Sequence, residues 1–398
     1  MPNNQGWDQK MKFGIDAIGF YSSRYYLDLA TLATRRGIDV DKFCVGLGQK
    51  KMAVPPPGED IITLATNAAQ EILHEHDREK IELVLFATES GIDHSKAAGI
   101  YIQQLLNLPA RCRVLELKQA CYAATGGMQL ALAWLRQYPE KKVLLLAADI
   151  ARYGFNTSGE SSQGAGAVAL LLSASPRLVA IESESGFYTE DVMDFWRPNY
   201  RDEALVDGKY SCELYLKVLG ETWKQYRALS HLAFKDHDYF CYHVPVPRLV
   251  EKAHRRLAKL NGHELSDEAA CQQMDSALVY SREIGNCYTA ALYVSLLSLL
   301  ENQMHDLTGS FIGLYSYGSG CVGEYFGAEV IPGYDHVLRR ERAQQDLALR
   351  HNLSYEEYEN FYNFKLPIDG SFFALPQYDT GKFRLKAIDK HKRIYEKT

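Results

Sequence analysis

The sequence predicts an α/β fold built twice over, with a mostly parallel or mixed sheet covered on both faces by helices. Uninterrupted apolar strands such as ELVLFAT (82–88), VLLLAAD (143–149) and GAGAVALLL (164–172) are too apolar for a sheet with one wet face. Helical patterns alternate with these strands, and no turn-dense hairpin array interrupts them. The order strand, intervening elements, special residue at a helix start, two strands then occurs a second time.

In chain order, the pattern gives a strand at 13–20, helices at 27–36 and 60–75, the strand at 82–88 and a helix at 95–106. The alternating run Val114-Leu115-Glu116-Leu117 then gives way to an amphipathic helix beginning at Cys121, followed by strands 143–149 and 164–172. The second pass runs through YFCYHVP (239–245), Gly285-Asn286 opening a long apolar helix, and the strands FIGLYSY and EYFGAEVI. This divides the chain into an N-terminal extension (1–10), two halves (11–175 and 176–334) and a Tyr-, Phe- and Lys-rich tail (335–398) opened by a charged helix and expected to pack on both halves.

The 398 residues are 46% hydrophobic and 24% charged, ordinary for a folded chain with a large core. A net charge of -6 supplies no global basic field, which argues against nucleic acid as a partner. The longest apolar stretch, CYTAALYVSLLSLL (287–300), is too short and too hydroxylated to span a bilayer and reads as a buried helix, so no membrane partner is expected. The first ten residues show neither an export nor a transit pattern, and the eight cysteines stand singly without a C-x-x-C pair, so free thiols and a cytoplasmic setting are expected. His74-Glu75-His76-Asp77 resembles a metal cluster but lies in a longer charged run and reads as a solvated helix end; no metal is expected.

Cys121 is the chemical focus. A thiol at a helix start meets unpaired N–H groups and the positive end of the helix dipole, which favours the thiolate and can hold an oxyanion. Glu89 ends an apolar strand, where α/β sheets collect ligands, and partial burial there raises a carboxyl pKa toward that of a general base or acid. The same position suits a capping or salt-bridged glutamate. His243 ends the strand YFCYHVP, and Pro245 stops that strand just past the imidazole. A hydrogen-bonded core histidine is the alternative. YGSGCVG (317–323) matches G-x-G-x-x-G, but a strand follows it instead of a helix, so a dinucleotide site is rejected. Glycines around Ser319, including Gly318, instead let backbone approach a thioester and aim an N–H at its oxygen. The basic helix RLVEKAHRRLAK (248–259) offers Arg248 and Lys252 for phosphates, or is a solvated face.

FATES with Glu89, ELKQACYAAT with Cys121, CYHVP with His243 and GNCYTAALYVSLLSLLEN with Asn286 together resemble bacterial 3-hydroxy-3-methylglutaryl-CoA (HMG-CoA) synthases. GLGQKKMAV, DIARYG, TEDVMDFWRP, LVDG and YGSG extend the resemblance from about Met11 to the end of the chain. It implies a thiolase-like, layered α-β-α-β-α fold, usually dimeric, that condenses acetyl-CoA with acetoacetyl-CoA in the mevalonate route to isoprenoids without a cofactor. Carried over, Cys121 takes the acetyl group, Glu89 is base and acid, and His243 binds and polarises the acetoacetyl thioester. Asn286 holds that second substrate, Ser319 sits in the acetyl pocket, and Tyr153 and Asp207 shape it. Where the family commonly has an aromatic residue and then a lysine, this chain reads Val246-Pro247-Arg248. The related enzyme of polyketide β-branching, acting on acyl carrier protein, is the nearest alternative; a non-catalytic acyl-CoA-binding homologue is the alternative from another class.

Overall fold

Two sets of strands meet along a seam of only two residue pairs, Gly14 with Ala180 and Ile15 with Val179. The computed structural model describes residues 11–398, so the extension expected over 1–10 lies outside the described residues. Among the described residues the sheet contains nine strands: β1 (Gly14–Tyr21), β2 (Ile81–Ala87), β3 (Arg113–Leu117), β4 (Lys142–Ala151), β5 (Gly164–Ser173), β6 (Val179–Thr189), β7 (Tyr239–Tyr242), β8 (Phe311–Gly318) and β9 (Val322–Val330). Their order is β7-β8-β9-β6-β1-β5-β4-β2-β3. Outward from the seam, β1-β5-β4-β2 mirrors β6-β9-β8-β7. Parallel pairing joins β2 to β4 and β7 to β8, so the tips of β2 and β7 occupy corresponding places.

The apolar runs form the strands for the expected reason. Every residue of β1 and of β5 is buried, which leaves no wet face to select alternation. Two helices occupy the middle of the molecule, Ala123–Gln137 after Cys121 and Ala291–Asn302 after Asn286. Ala291 through Glu301 are all buried, and the two helices are hydrogen-bonded through Thr125 Oγ1 and the Tyr293 hydroxyl at 2.9 Å. No helix among the described residues is long and apolar enough to cross a membrane. The G-x-G-x-x-G segment is the antiparallel hairpin between β8 and β9, with Gly318 opposite Val322.

Three sequence expectations change. The helix expected at 27–36 starts only at Leu29, because Tyr25–Asp28 pairs as a strand with Lys51–Ala53 and with His351–Asn352 of the tail. The charged helix of the tail shortens to Arg340–Ala348. Asp77 is not solvated: it is fully buried against the Lys142 ammonium at 2.7 Å, which also binds Asp16 at 2.6 Å beside Arg177. Local periodicity cannot see those distant cations. His74, Glu75 and His76 are exposed as expected.

The tail contacts residues on both sides of the seam. Arg350 donates to the Glu283 carbonyl, and Tyr395 of the closing hairpin donates to Asp60 at 2.7 Å.

Candidate active site

Cys121 precedes its helix, whose cap is Tyr122, and follows Ala120, which is forced to φ +45°. Gly318 closes on Cys121 from β8: a Cβ there would stand 2.6 Å from both the Gln119 carbonyl oxygen and the Tyr122 nitrogen. Ser319, next in line, accepts from the Gln119 amide through its carbonyl at 3.4 Å.

The Cys121 sulfur donates to Glu89 Oε1 at 2.8 Å. Glu89 lies just beyond the tip of β2, partly buried. Burial first, and then the negative charge of Asp149, push its carboxyl up to about 8; the Cys121 thiol and the Arg197 guanidinium pull the other way. Here the sequence expectation for the cysteine is corrected. Burial and the facing Glu89 carboxylate raise the Cys121 thiol well above its ordinary value, outweighing the helix start. Cys121 is thus a thiol hydrogen-bonded to Glu89, not a free thiolate.

Asp149 organises this corner, and sequence reasoning gave it no role. It is fully buried at the end of β4 and accepts six hydrogen bonds: from Thr88 Oγ1, Glu89 N, Ser90 N and Ser90 Oγ on one side, and from Thr289 N and Oγ1 on the other. The strand-tip loop carrying Glu89 is thereby tied to the turn after Asn286. Asn286, buried, follows Gly285 (φ +77°), where a Cβ would meet the Gln163 carbonyl oxygen at 2.0 Å. Its amide donates to the Tyr153 hydroxyl at 2.8 Å. Cys121 and Tyr153 pack against Ala151, Phe195, Ala204 and Tyr288.

His243 follows directly on β7. Its backbone is pinned by Tyr315 at 2.7 Å and by the Tyr215 hydroxyl at 2.8 Å. The ring is buried and Nδ1 has no partner among the described residues; burial lowers the imidazole to about 3, so the ring is neutral across the physiological range. No hydrogen bond among the described residues joins it to Glu89 or Cys121.

Two expected binders have their side chains engaged by the fold. Asp207 is exposed and caps the helix Gly208–Ser230 by accepting from Tyr210 N at 3.1 Å, so its carboxylate is spent on the helix start. The buried carboxylate nearby is Asp194, which accepts from Ser211 Oγ, Tyr317 OH and Gly320 N. Arg248 is not a free phosphate ligand: it donates to the Val45 carbonyl through Nε and Nη2 and pairs with Glu251, fastening the neighbouring loop. Lys252 is exposed on the same helix.

Against this geometry, the family models described as hydroxymethylglutaryl-coenzyme A synthase N terminal and C terminal match residues 9–176, and 179–264 with 259–397. The chain belongs to the hydroxymethylglutaryl-CoA synthase family. It is 41% identical to the hydroxymethylglutaryl-CoA synthase of Enterococcus faecalis over 97% of this chain and 100% of that one. A crystal structure of HMG-CoA synthase complexed with CoA superposes with a TM-score of 0.92 at 39% identity, covering 98% of this chain and all of the other. The Bacillus subtilis polyketide 3-hydroxy-3-methylglutaryl-ACP synthase PksG is 34% identical over 87% of each chain. The duplicated, thiolase-like α/β architecture is thus that of the HMG-CoA synthase family, whose members are acyl-transferring enzymes that form a carbon–carbon bond.

Proposed function

We propose that this enzyme condenses acetyl-CoA with acetoacetyl-CoA and water to HMG-CoA and CoA through an acetyl-Cys121 intermediate. The observation that carries the reading is the 2.8 Å contact between the Cys121 sulfur and the Glu89 carboxylate. Glu89 takes the thiol proton, sulfur attacks the acetyl carbonyl, and the proton leaves with the CoA thiol. A thioester is poorly resonance-stabilised, so the bound acetyl group keeps acidic methyl protons, and sulfur fixes it beside its base. Glu89 then removes a methyl proton. The carbanion adds to the C3 ketone of acetoacetyl-CoA, and Glu89 returns the proton to the alkoxide. A neutral His243 donates a hydrogen bond to the substrate oxygen without surrendering its proton. Water finally releases the product from sulfur. Neither a metal nor a redox cofactor is required at any step.

The reading places the product at the entrance of the mevalonate route and the protein in the cytoplasm, a setting supported by eight free thiols. Asn286 and Tyr153 hold and shape the acyl site, Ser319 and Gly318 border it, and Lys252 remains for a phosphate. Incubation with acetyl-CoA should add one acetyl group to the Cys121 peptide by mass spectrometry. Glu89→Ala should still acquire it slowly and form no HMG-CoA; retained condensation would overturn the assignment of the base. Faster turnover of carrier-bound than of free CoA thioesters would move the enzyme to the polyketide branch.

A further inference from the structure

We propose that Phe195 sets the length of the acyl group that Cys121 accepts, and that the segment Asp194–Arg197 is a fixed strap built to hold that ring in place. The inference rests on the acetyl-Cys121 reading above. Phe195 belongs with Tyr153 and Tyr288 to a triangle of rings in the cluster against which Cys121 packs: its centroid lies 5.5 Å from Tyr153 and 5.8 Å from Tyr288, and those two stand 5.9 Å apart. Aromatic rings at these separations are in contact and leave little room for further atoms. An acyl chain on sulfur longer than acetyl must displace one of them.

Two of the three rings are tied by their hydroxyls. Tyr153 accepts from Asn286 Nδ2 at 2.8 Å, and Tyr288 accepts from the Arg152 nitrogen at 3.2 Å. Phe195 has no polar handle, so its position depends wholly on its backbone, and the strap supplies that. On one side Asp194 is fully buried, with hydrogen bonds from Ser211, Tyr317 and the Gly320 nitrogen at 2.8–2.9 Å. On the other side Arg197 donates to the Glu89 carbonyl oxygen. Phe195 and Trp196 also pair with Val206 and Leu205 in a two-stranded ribbon. A ring fixed at both flanks rejects by volume, whereas one on a mobile loop would yield. Phe195 is therefore a specificity residue, and Asp194 and Arg197 position it.

One methylene in a rigid apolar pocket discriminates by roughly 10- to 200-fold. The test measures the rate of Cys121 acylation by acetyl-CoA and by propionyl-CoA, using mass spectrometry on the wild type, Phe195→Ala and Phe195→Leu. The wild type should favour acetyl by about that factor; Phe195→Ala should reduce the preference at least about tenfold, with Phe195→Leu intermediate. An unchanged ratio in folded variants would overturn the role of Phe195 while leaving the nucleophile assigned. Absence of any acyl adduct on wild-type Cys121 would instead overturn the proposed function. Should Phe195→Ala fail to fold, the leucine variant still decides, because a ratio equal to that of the wild type counts against the proposal.

Discussion

Glu89 is held between opposing influences. Burial and Asp149 favour its neutral form and bring it up to about 8, while Arg197 and the Cys121 thiol favour the carboxylate. Proton abstraction needs the carboxylate, so turnover should rise with pH through a midpoint near 8 and level off roughly one unit above it. Replacing Arg197 by Gln removes a cation that stabilises the charged form, which should move that midpoint to higher pH; a midpoint that stays or falls in the pH–rate profile would show that the charge does not act there. The folding consequence has the opposite sense. The raised carboxyl is protonated when folded and ionised when unfolded between about 4.5 and about 8, so its contribution to stability is full below that window and lost as pH rises through it. Glu89→Gln should therefore be inactive in condensation yet more stable than the wild type at pH 8 by roughly 2–4 kcal/mol, read by urea denaturation.

The two central helices begin alike. Ala120 (φ +45°) stands three residues before Ala123, and Tyr288 (φ +44°) stands three before Ala291, so Thr289 occupies in the second half the place Cys121 occupies in the first. One kink presents a thiol to Glu89; the other presents a hydroxyl and an N–H to Asp149. Asp149→Ala strands Thr88, Ser90 and Thr289 donors in a dry interior, which should destabilise by about 3–5 kcal/mol and depress acetylation of Cys121, measured by thermal unfolding and adduct formation. Gly318→Ala should disturb the Cys121 loop directly, because its Cβ would collide with backbone and not with a movable side chain. We expect a loss of about 1–3 kcal/mol together with slow acetylation, checked by the same two measurements. At this scale the sequence was most legible where a local break in pattern marks a residue. Glu89 and His243 each end an apolar run, and Gly285 stands at a positive φ before Asn286. Asp149 was written in VLLLAAD as the end of a strand, but its six donors come from residues about sixty positions before it and 140 after, which no periodicity encodes. Asp207 misled for the complementary reason: an acid before a glycine and a helix is equally a cap. Asp194, Phe195 and Arg197 stood in the motif DFWRP, where an aromatic pair between an acid and a base was the available sign of a strap.

Across the whole molecule, neither edge of the sheet is paired among the described residues, and one edge exposes apolar side chains. β3 exposes Leu115 at 56%, and Leu130 on the adjoining Cys121 helix is exposed at 60%. Unpaired strand edges with apolar side chains template further pairing, so the dimer expected from the sequence would assemble through this edge. Leu115→Lys with Leu130→Lys should shift the sedimentation of a dimer toward the monomer; an unchanged distribution would place the contact elsewhere. The pH response of the fold is also a property of the whole. Buried Glu59, whose Oε1 accepts from Tyr21 at 2.8 Å, and Glu301, bound to Tyr280, are both raised to about 7 by burial. Together with Glu89 they make the folded chain bind more protons than the unfolded one between about 4.5 and 7–8. The surface carboxylates that are lowered by partners, such as Glu190 beside Lys217, favour the fold in the other direction but act mainly below their ordinary value, and solvent screens them. His237, His243 and His254, lowered by burial, oppose the buried carboxyls below about 6.5, so the carboxyls govern the range above it and the unfolding midpoint should fall as pH is raised from about 6.5 to 8.5. Glu59→Gln keeps a hydrogen-bond acceptor for Tyr21 without a charge to desolvate, so it should flatten that decline by about 3 kcal/mol at pH 8.5 and leave pH 5 stability nearly unchanged. A decline identical to that of the wild type would mean that Glu59 stays ionised in the fold.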